Sequence, residues 1–133
     1  MILVDSNIIL DILTEDPKWY KWSADMLSKL ANDNPLIIND IIYSEVSIGF
    51  KKIEELEEVL LGNFSIYTIP KEALFLAGKV FLQYRKQGGT KNSTLPDFFI
   101  GAHAAVQNIP ILTRDVSRYK TYFPKVKVIG PEK

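Results

Sequence analysis

The sequence contains no cysteine and only one histidine, His103. Without thiols the chain has no disulfide bonds, no thiolate zinc site and no cysteine nucleophile. A single histidine also argues against a conventional zinc site, which draws most of its ligands from Cys and His side chains. Thiol chemistry is therefore excluded, and zinc chemistry is not expected.

Neither sign of charge is in excess, because 16 Lys and Arg residues balance 16 Asp and Glu residues. Bulk electrostatic attraction to nucleic acid is therefore not indicated, and any polyanion must bind through local patches or metal ions. The chain also lacks a long apolar run and a signal peptide. We expect a soluble, cytoplasmic protein that does not associate with a membrane.

A length of 133 residues accommodates one domain with a sizeable core, and no repeat, linker or change in composition divides the chain. Short apolar runs alternate with segments of helical periodicity, which is typical of an α/β fold with a mainly parallel sheet and helices on both faces. We therefore predict a single domain over residues 1–133. The predicted strands are 2–4, 36–38, 64–69, 109–112 and 126–129, and the predicted helices are 7–13, 17–30, 41–50, 51–61, 70–87, 96–108 and 116–122.

The first predicted strand ends abruptly in three side chains that carry oxygen, Asp5, Ser6 and Asn7. In open α/β sheets the chemistry collects at the carboxyl ends of the strands. The first strand of such a fold often lies near the centre of the sheet, so Asp5 is a candidate site residue. The alternative is that Asp5 or Ser6 only caps the helix that begins near Asn7.

Three further acidic residues fall where the predicted fold can bring them to the same edge as Asp5. Glu45 lies within the apolar face of its helix, where a carboxylate is costly without a partner. Asp97 follows a proline at the start of a helix, and Asp115 follows Thr113 at the end of the fourth strand. Each has a structural alternative: Glu45 can reach water or a Lys, Asp97 can complement the helix dipole, and Asp115 can cap the last helix.

Four carboxylates gathered at one edge repel one another and take up protons unless cations neutralise them. Hard divalent cations such as Mg²⁺ take oxygen ligands. Two such ions can clamp the attacking and leaving oxygens of a phosphodiester, and they acidify a coordinated water without a histidine base. They would also reverse the local charge, which would let a neutral protein hold a polyanion.

Four short motifs, taken in order, resemble those of PIN domains. They are Asp-Ser-Asn at 5–7, Ser-Glu-Val at 44–46, Pro-Asp-Phe-Phe-Ile-Gly-Ala-His-Ala at 96–104 and Leu-Thr-Arg-Asp at 112–115. Each motif alone is weak, but their order, spacing and total length are most similar to the VapC-type toxins of toxin–antitoxin pairs. The resemblance covers essentially the whole chain and implies a PIN-like three-layer sandwich.

The resemblance also implies a function: a Mg²⁺- or Mn²⁺-dependent endoribonuclease that forms a homodimer and is blocked by the tail of a cognate antitoxin. It makes four residues both the metal ligands and the catalytic residues for attack of activated water on RNA, namely Asp5, Glu45, Asp97 and Asp115. His103 lies about 240° around its helix from Asp97, so we expect it to point away from this site.

Other polar and basic side chains support the four acids in this hypothesis. Ser6, Asn7 and Thr113 would orient the metal ligands through hydrogen bonds. Arg114 and Lys91 are candidates for binding the RNA phosphates, with a plain surface position as the alternative for each.

Three other function classes share part of the pattern. A phosphohydrolase of the haloacid dehalogenase type also opens with a strand and an Asp, but its second Asp comes two residues later, where this chain has Asn7. A receiver-like signalling domain would need paired acids after the first strand. A non-catalytic RNA-binding module with the same fold is the third alternative, and the presence of all four acids favours activity over it.

Overall fold

The computed structural model describes residues 1–131, which form one five-stranded sheet flanked by helices. The strands are β1 (Ile2–Val4), β2 (Leu36–Asn39), β3 (Ser65–Tyr67), β4 (Ile111–Leu112) and β5 (Val128–Ile129). The helices are α1 (Ser6–Leu13), α2 (Tyr20–Ala31), α3 (Asp40–Ser47), α4 (Ile53–Leu60), α5 (Lys71–Lys86), α6 (Pro96–Gln107) and α7 (Val116–Lys120). None of the helices in this part of the chain is long and apolar enough to cross a membrane.

All strands run parallel, in the order β3-β2-β1-β4-β5. β1 is central, with Leu3 paired to Ile37 on one side and to Ile111 on the other. All three of these side chains are fully buried, as expected for a parallel sheet covered on both faces. The predicted three-layer α/β sandwich is therefore confirmed, and the carboxyl ends of β1 and β4 lie side by side.

Helix α6 packs closely on its neighbours because its inner positions are small. Gly101, Ala102 and Ala104 are buried, and a Cβ atom on Gly101 would stand 2.3 Å from the ring of Phe123. Asn108 ends the helix in the left-handed conformation, with φ of 54°. This close packing helps to fix the position of the helix's first turn, which carries Asp97.

The predicted start of the second helix is wrong. The Asp16-Pro17 pair predicts a helix with Pro17 at its first position, but α2 begins at Tyr20. The Asp16 carboxylate instead accepts hydrogen bonds from the backbone N–H groups of Lys18 and Trp19, both at 2.9 Å. These local bonds stabilise a turn ahead of the helix.

The third, fourth and fifth strands are shorter than predicted. Ile109 and Val126 lie outside the strands, yet both side chains are buried in the core. An apolar run predicts which side chains are buried. In this protein the buried side chains extend beyond the residues whose backbones pair in the sheet.

Candidate active site

Asp5 follows β1 directly and its side chain is buried, with 1% exposed. Its Oδ1 atom accepts a hydrogen bond of 2.7 Å from the backbone N–H of Ser6 and so caps α1. Its Oδ2 atom accepts hydrogen bonds from the hydroxyl groups of Thr113 at 2.8 Å and Tyr119 at 2.9 Å. Helix capping therefore describes only half of its contacts, and Tyr119 is a partner that the sequence interpretation missed.

Asn7 and Thr113 tie the end of β1 to the end of β4. The side-chain amide of Asn7 donates to the Thr113 hydroxyl at 3.1 Å and to Asp5 at 3.4 Å. The Asn7 carbonyl oxygen accepts from the backbone N–H of Arg114 at 3.2 Å. Thr113 also accepts from the backbone N–H of Asp115 at 3.1 Å. These two residues thus orient both strand ends at which acids stand.

Glu45 reaches the same edge from α3, whose start is capped by Asn39. The Ser6 hydroxyl donates to Glu45 Oε1 at 3.0 Å. Burial raises the pKa of Glu45, and the nearby carboxylates of Asp5 and Asp97 raise it further, against the opposing effects of Ser6 and a neighbouring arginine. Of the alternatives for the Glu45 head, water or a Lys, no Lys pairs with it within residues 1–131, and its side-chain partner is the Ser6 hydroxyl.

Asp97 stands in the first turn of α6 and is half-buried. Burial raises its pKa, and the negative charges of Asp5 and Asp115 add to that rise. The negative charge of Asp5 thus contributes to the raised pKa of both Glu45 and Asp97. Three of the predicted acids, Asp5, Asp97 and Asp115, thus lie close enough to another acid to contribute to the raised pKa of Glu45 or of Asp97.

A guanidinium group bridges two of these acids. Arg118, on α7, contacts Asp97 through Nε at 3.2 Å and Nη1 at 3.4 Å, and contacts Asp115 through Nη2 at 2.8 Å. Burial lowers the pKa of Arg118, but the carboxylates of Asp97 and Asp115 raise it more, so the net shift is upward. Asp115 occupies the N-cap position of α7, as its structural alternative predicts, but its side chain makes no capping hydrogen bond and contacts Arg118 instead.

The sequence interpretation missed Arg118, although one signal could have indicated it. Arg118 follows Asp115 by three residues on a helix, and side chains at that spacing lie on the same face. Its contact with Asp97, on another helix, has no comparable signal in the sequence.

The donor set at this edge consists of carboxylate and hydroxyl oxygens, which suits Mg²⁺ or Mn²⁺ and does not suit zinc. As the side chains stand, no three Asp, Glu or His side chains within residues 1–131 converge on one point to hold an ion. Arg118 bridges two of the carboxylates in this arrangement. The chemistry of these residues therefore fits a hard divalent cation. In this structure the positive charge between Asp97 and Asp115 is the Arg118 guanidinium.

Arg114 pairs with a fifth acid, Asp11, which is not one of the four predicted site residues. Its Nε and Nη2 atoms bind the buried carboxylate of Asp11 at 2.7 and 2.9 Å, and its guanidinium lies 5.4 Å from the centre of the Trp19 ring. Asp11 also accepts a hydrogen bond of 2.7 Å from the Ser23 hydroxyl. This bidentate contact joins α1 to the end of β4, and it gives no support to the predicted phosphate-binding role of Arg114.

Lys91 lies in the loop between α5 and α6. Its backbone N–H donates to the Tyr84 hydroxyl at 3.2 Å, and its carbonyl oxygen accepts from Arg85 Nη1 at 2.9 Å. Within residues 1–131 its exposed side chain forms no ion pair with any of the four acids. Its predicted role at the RNA backbone stays a prediction.

His103 lies on α6 and is fully buried. Its Nδ1 atom lies 3.1 Å from Asn39 Nδ2, and its Nε2 atom lies 2.9 Å from the Gln107 side-chain oxygen. The Asn39 amide donates to Nδ1, so Nε2 carries the proton of a neutral ring. Because Asn39 caps the helix that carries Glu45, His103 helps to fix that helix.

Known proteins share both the sequence pattern and the fold. The sequence matches the PIN domain family over residues 2–124. VapBC2 from Rickettsia felis, solved bound to a fragment of promoter DNA, has a TM-score of 0.75 and 22% identity, over 99% of this chain and 100% of that one. VapBC-1 from nontypeable Haemophilus influenzae has a TM-score of 0.71 and 23% identity, over 98% of each chain.

A toxin–antitoxin complex from Klebsiella pneumoniae is also similar, with a TM-score of 0.69 and 23% identity, over 100% of this chain and 99% of that one. At these identities the structural likeness establishes the fold. No curated protein matches the sequence.

Proposed function

This chain belongs to the PIN domain family, and we propose that it is a Mg²⁺- or Mn²⁺-dependent endoribonuclease. The observation that supports this best is the meeting of Asp5, Glu45, Asp97 and Asp115 at the carboxyl edge of the sheet. Burial and mutual repulsion raise the pKa of Glu45 and of Asp97 there. Such repulsion destabilises the ionised site, which favours a role in binding cations over a role in folding.

In this proposal Asp5, Asp97 and Asp115 hold the metal, and Glu45 binds it directly or through water. A divalent cation bound there would acidify a water molecule and neutralise charge on the scissile RNA phosphate. Cations bound by these carboxylates would thereby give a protein without net charge a local site for a polyanion.

The surrounding side chains position these carboxylates. Thr113, Asn7 and Tyr119 direct hydrogen bonds at Asp5 Oδ2, and the backbone of Ser6 holds Oδ1. Ser6 also holds Glu45 through its hydroxyl group. These donors leave little rotational freedom to Asp5, so the site is oriented before any ligand arrives.

We further propose that the protein is a cytoplasmic toxin that pairs with a cognate antitoxin and forms a homodimer. The similarity to VapBC proteins and to a toxin–antitoxin complex supports this assignment. Helix α5 exposes Leu74, Phe75 and Leu82, and Phe75 is 69% exposed. Exposed apolar side chains of this kind are suited to contact with another protein chain.

Cleavage of a short RNA in the presence of Mg²⁺ or Mn²⁺ tests the ribonuclease activity. We expect Asp5→Asn and Asp97→Asn each to lose more than the roughly 10–100-fold typical of changes around a metal ligand. Asp25→Asn is the matched control, because Asp25 is exposed on α2 and, within the described residues, forms its ion pair with Lys21 alone. Equal cleavage by all four proteins would contradict the site assignment.

The alternatives predict different products. A phospho-aspartyl enzyme would form a covalent phosphate on Asp5 with a small phosphodonor, whereas Asp5 is buried and hydrogen-bonded through both oxygens. An RNA-binding module would retain RNA without cutting it. Mass spectrometry of the phosphodonor reaction and RNA binding without cleavage distinguish these two outcomes from the proposed one.

A further inference from the structure

Arg118 is a cation that already stands between two proposed metal ligands. Its guanidinium contacts Asp97 Oδ2 at 3.2 Å and Asp115 Oδ2 at 2.8 Å. A divalent ion held by these two residues would bind the same two carboxylates, and its positive charge would repel the guanidinium. Arg118 and a metal ion therefore compete for them.

The arginine cannot vacate the site by losing its proton, because a guanidinium stays charged in proteins. It can leave by rotation, since its side chain is 42% exposed and belongs to the short helix α7. Arg114 offers the contrast, because its guanidinium is held bidentately by the buried carboxylate of Asp11 and lies against Trp19.

We propose that Arg118 is an exchangeable positioning residue: it holds Asp97 and Asp115 together in the metal-free protein and is displaced when a divalent cation binds. The inference rests on the proposed metal dependence of this site. It explains how repelling carboxylates stay assembled without metal, and why no three acids converge on one point within residues 1–131 while the arginine is in place.

Mn²⁺ titration of the intact protein without RNA, followed by electron paramagnetic resonance of the free ion, measures the competition. Arg118→Gln removes the competing charge, and we expect it to bind Mn²⁺ roughly tenfold more tightly than the parent. Lys120→Gln is the matched control, because it removes a positive charge from the same helix, where the Lys120 ammonium donates to the Val126 carbonyl oxygen and, within residues 1–131, forms no ion pair. We expect it to bind Mn²⁺ like the parent.

Arg118→Lys gives a second variant, which keeps the charge but cannot span both carboxylates with one planar group. We expect its Mn²⁺ affinity to fall between those of the parent and Arg118→Gln, and it carries the test if the glutamine variant does not fold. Mn²⁺ affinity that is unchanged or weaker in the folded variants would overturn the exchange while leaving metal dependence intact. Absence of Mn²⁺ binding in every protein, parent included, would instead contradict the metal dependence and the exchange together.

Discussion

Arg114 and Arg118 stand in the same short segment, yet their carboxylate contacts differ in almost every physical respect. Arg114 forms a bidentate pair with Asp11, whose side chain is 3% exposed. Arg118 divides its contacts between Asp97 and Asp115, whose side chains are 27% and 45% exposed. The first pair joins elements of the fold, and the second lies across the proposed metal site.

An arginine–carboxylate contact therefore contributes differently to stability according to how deeply its carboxylate is buried. Where a buried carboxylate depends on one arginine, loss of that arginine leaves an uncompensated charge in the interior. Where both groups keep access to water, solvent replaces the lost contact and the free energy changes little. We therefore expect Arg114 to matter chiefly for stability and Arg118 chiefly for what the site binds.

The largest expected effect is that of Arg114→Ala. Among residues 1–131, the substitution leaves the buried Asp11 with the Ser23 hydroxyl as its one side-chain donor, and we expect the free energy of unfolding to fall by about 3 kcal/mol. Urea unfolding followed by circular dichroism measures it. The double variant Arg114→Met, Asp11→Leu should recover part of the loss, and a single variant as stable as the parent would refute the structural role of this pair.

The next effect concerns Tyr119, the buried neighbour of Arg118 on α7. Tyr119→Phe removes one hydroxyl donor from the Asp5 carboxylate while the ring stays in place. Because hydrogen bonds to charged groups contribute about 1.5–3 kcal/mol, we expect a loss of that order in the same unfolding experiment. An unchanged free energy of unfolding would show that the hydrogen bond from Tyr119 to Asp5 does not stabilise the native state.

A smaller effect, dependent on pH, is expected from His103. Burial lowers its pKa, against the opposing effects of Gln107 and Asp40, so the unfolded chain binds a proton more readily than the native one. The contribution of His103 to the free energy of unfolding is complete above the unfolded pKa of about 6.5. As pH falls from there towards the lowered native pKa, this contribution is lost by up to about 1.4 kcal/mol per pH unit.

Urea unfolding of the parent and of His103→Gln between pH 7.5 and 5.5 isolates that contribution. This range spans the unfolded pKa of about 6.5. The parent should lose more stability than the variant over this range. A parallel decline in both proteins would mean that other groups cause the acid sensitivity.

The smallest effect completes the comparison of the two arginines. Without metal, Arg118→Gln should lower the free energy of unfolding by no more than about 1 kcal/mol, because all three partners keep access to solvent. Thermal unfolding with and without Mn²⁺ measures it. A loss as large as that of Arg114→Ala would show that both arginines are structural.

The sequence was informative where a local pattern and the geometry of a parallel sheet were sufficient. Apolar runs placed β1 at the centre, and the polar residues after them placed Asp5 and Thr113 at one edge, where they are 2.8 Å apart. Glu45 and Asp97 required the family resemblance in addition, since each has an ordinary explanation within its own helix.

What could not be predicted depends on contacts between distant segments. Arg114 looked like a free surface cation, because nothing near it in the chain indicates that Asp11 is buried against it. Arg118 lies on the same helix face as Asp115, but its contact with Asp97 exists only after α6 and α7 have packed. The start of α2 was misplaced because Asp16 supports a turn as well as it supports a cap.

Crystals of the protein soaked in Mn²⁺ would show whether the ion and Arg118 exchange at the same carboxylates, because anomalous scattering locates the ion. We expect an anomalous peak bound by Asp5, Asp97 and Asp115, with the Arg118 guanidinium turned out of the position between the two aspartates. A Mn²⁺ ion bound elsewhere, with Arg118 still bridging Asp97 and Asp115, would contradict both the proposed metal site and the exchange of Arg118 for the ion.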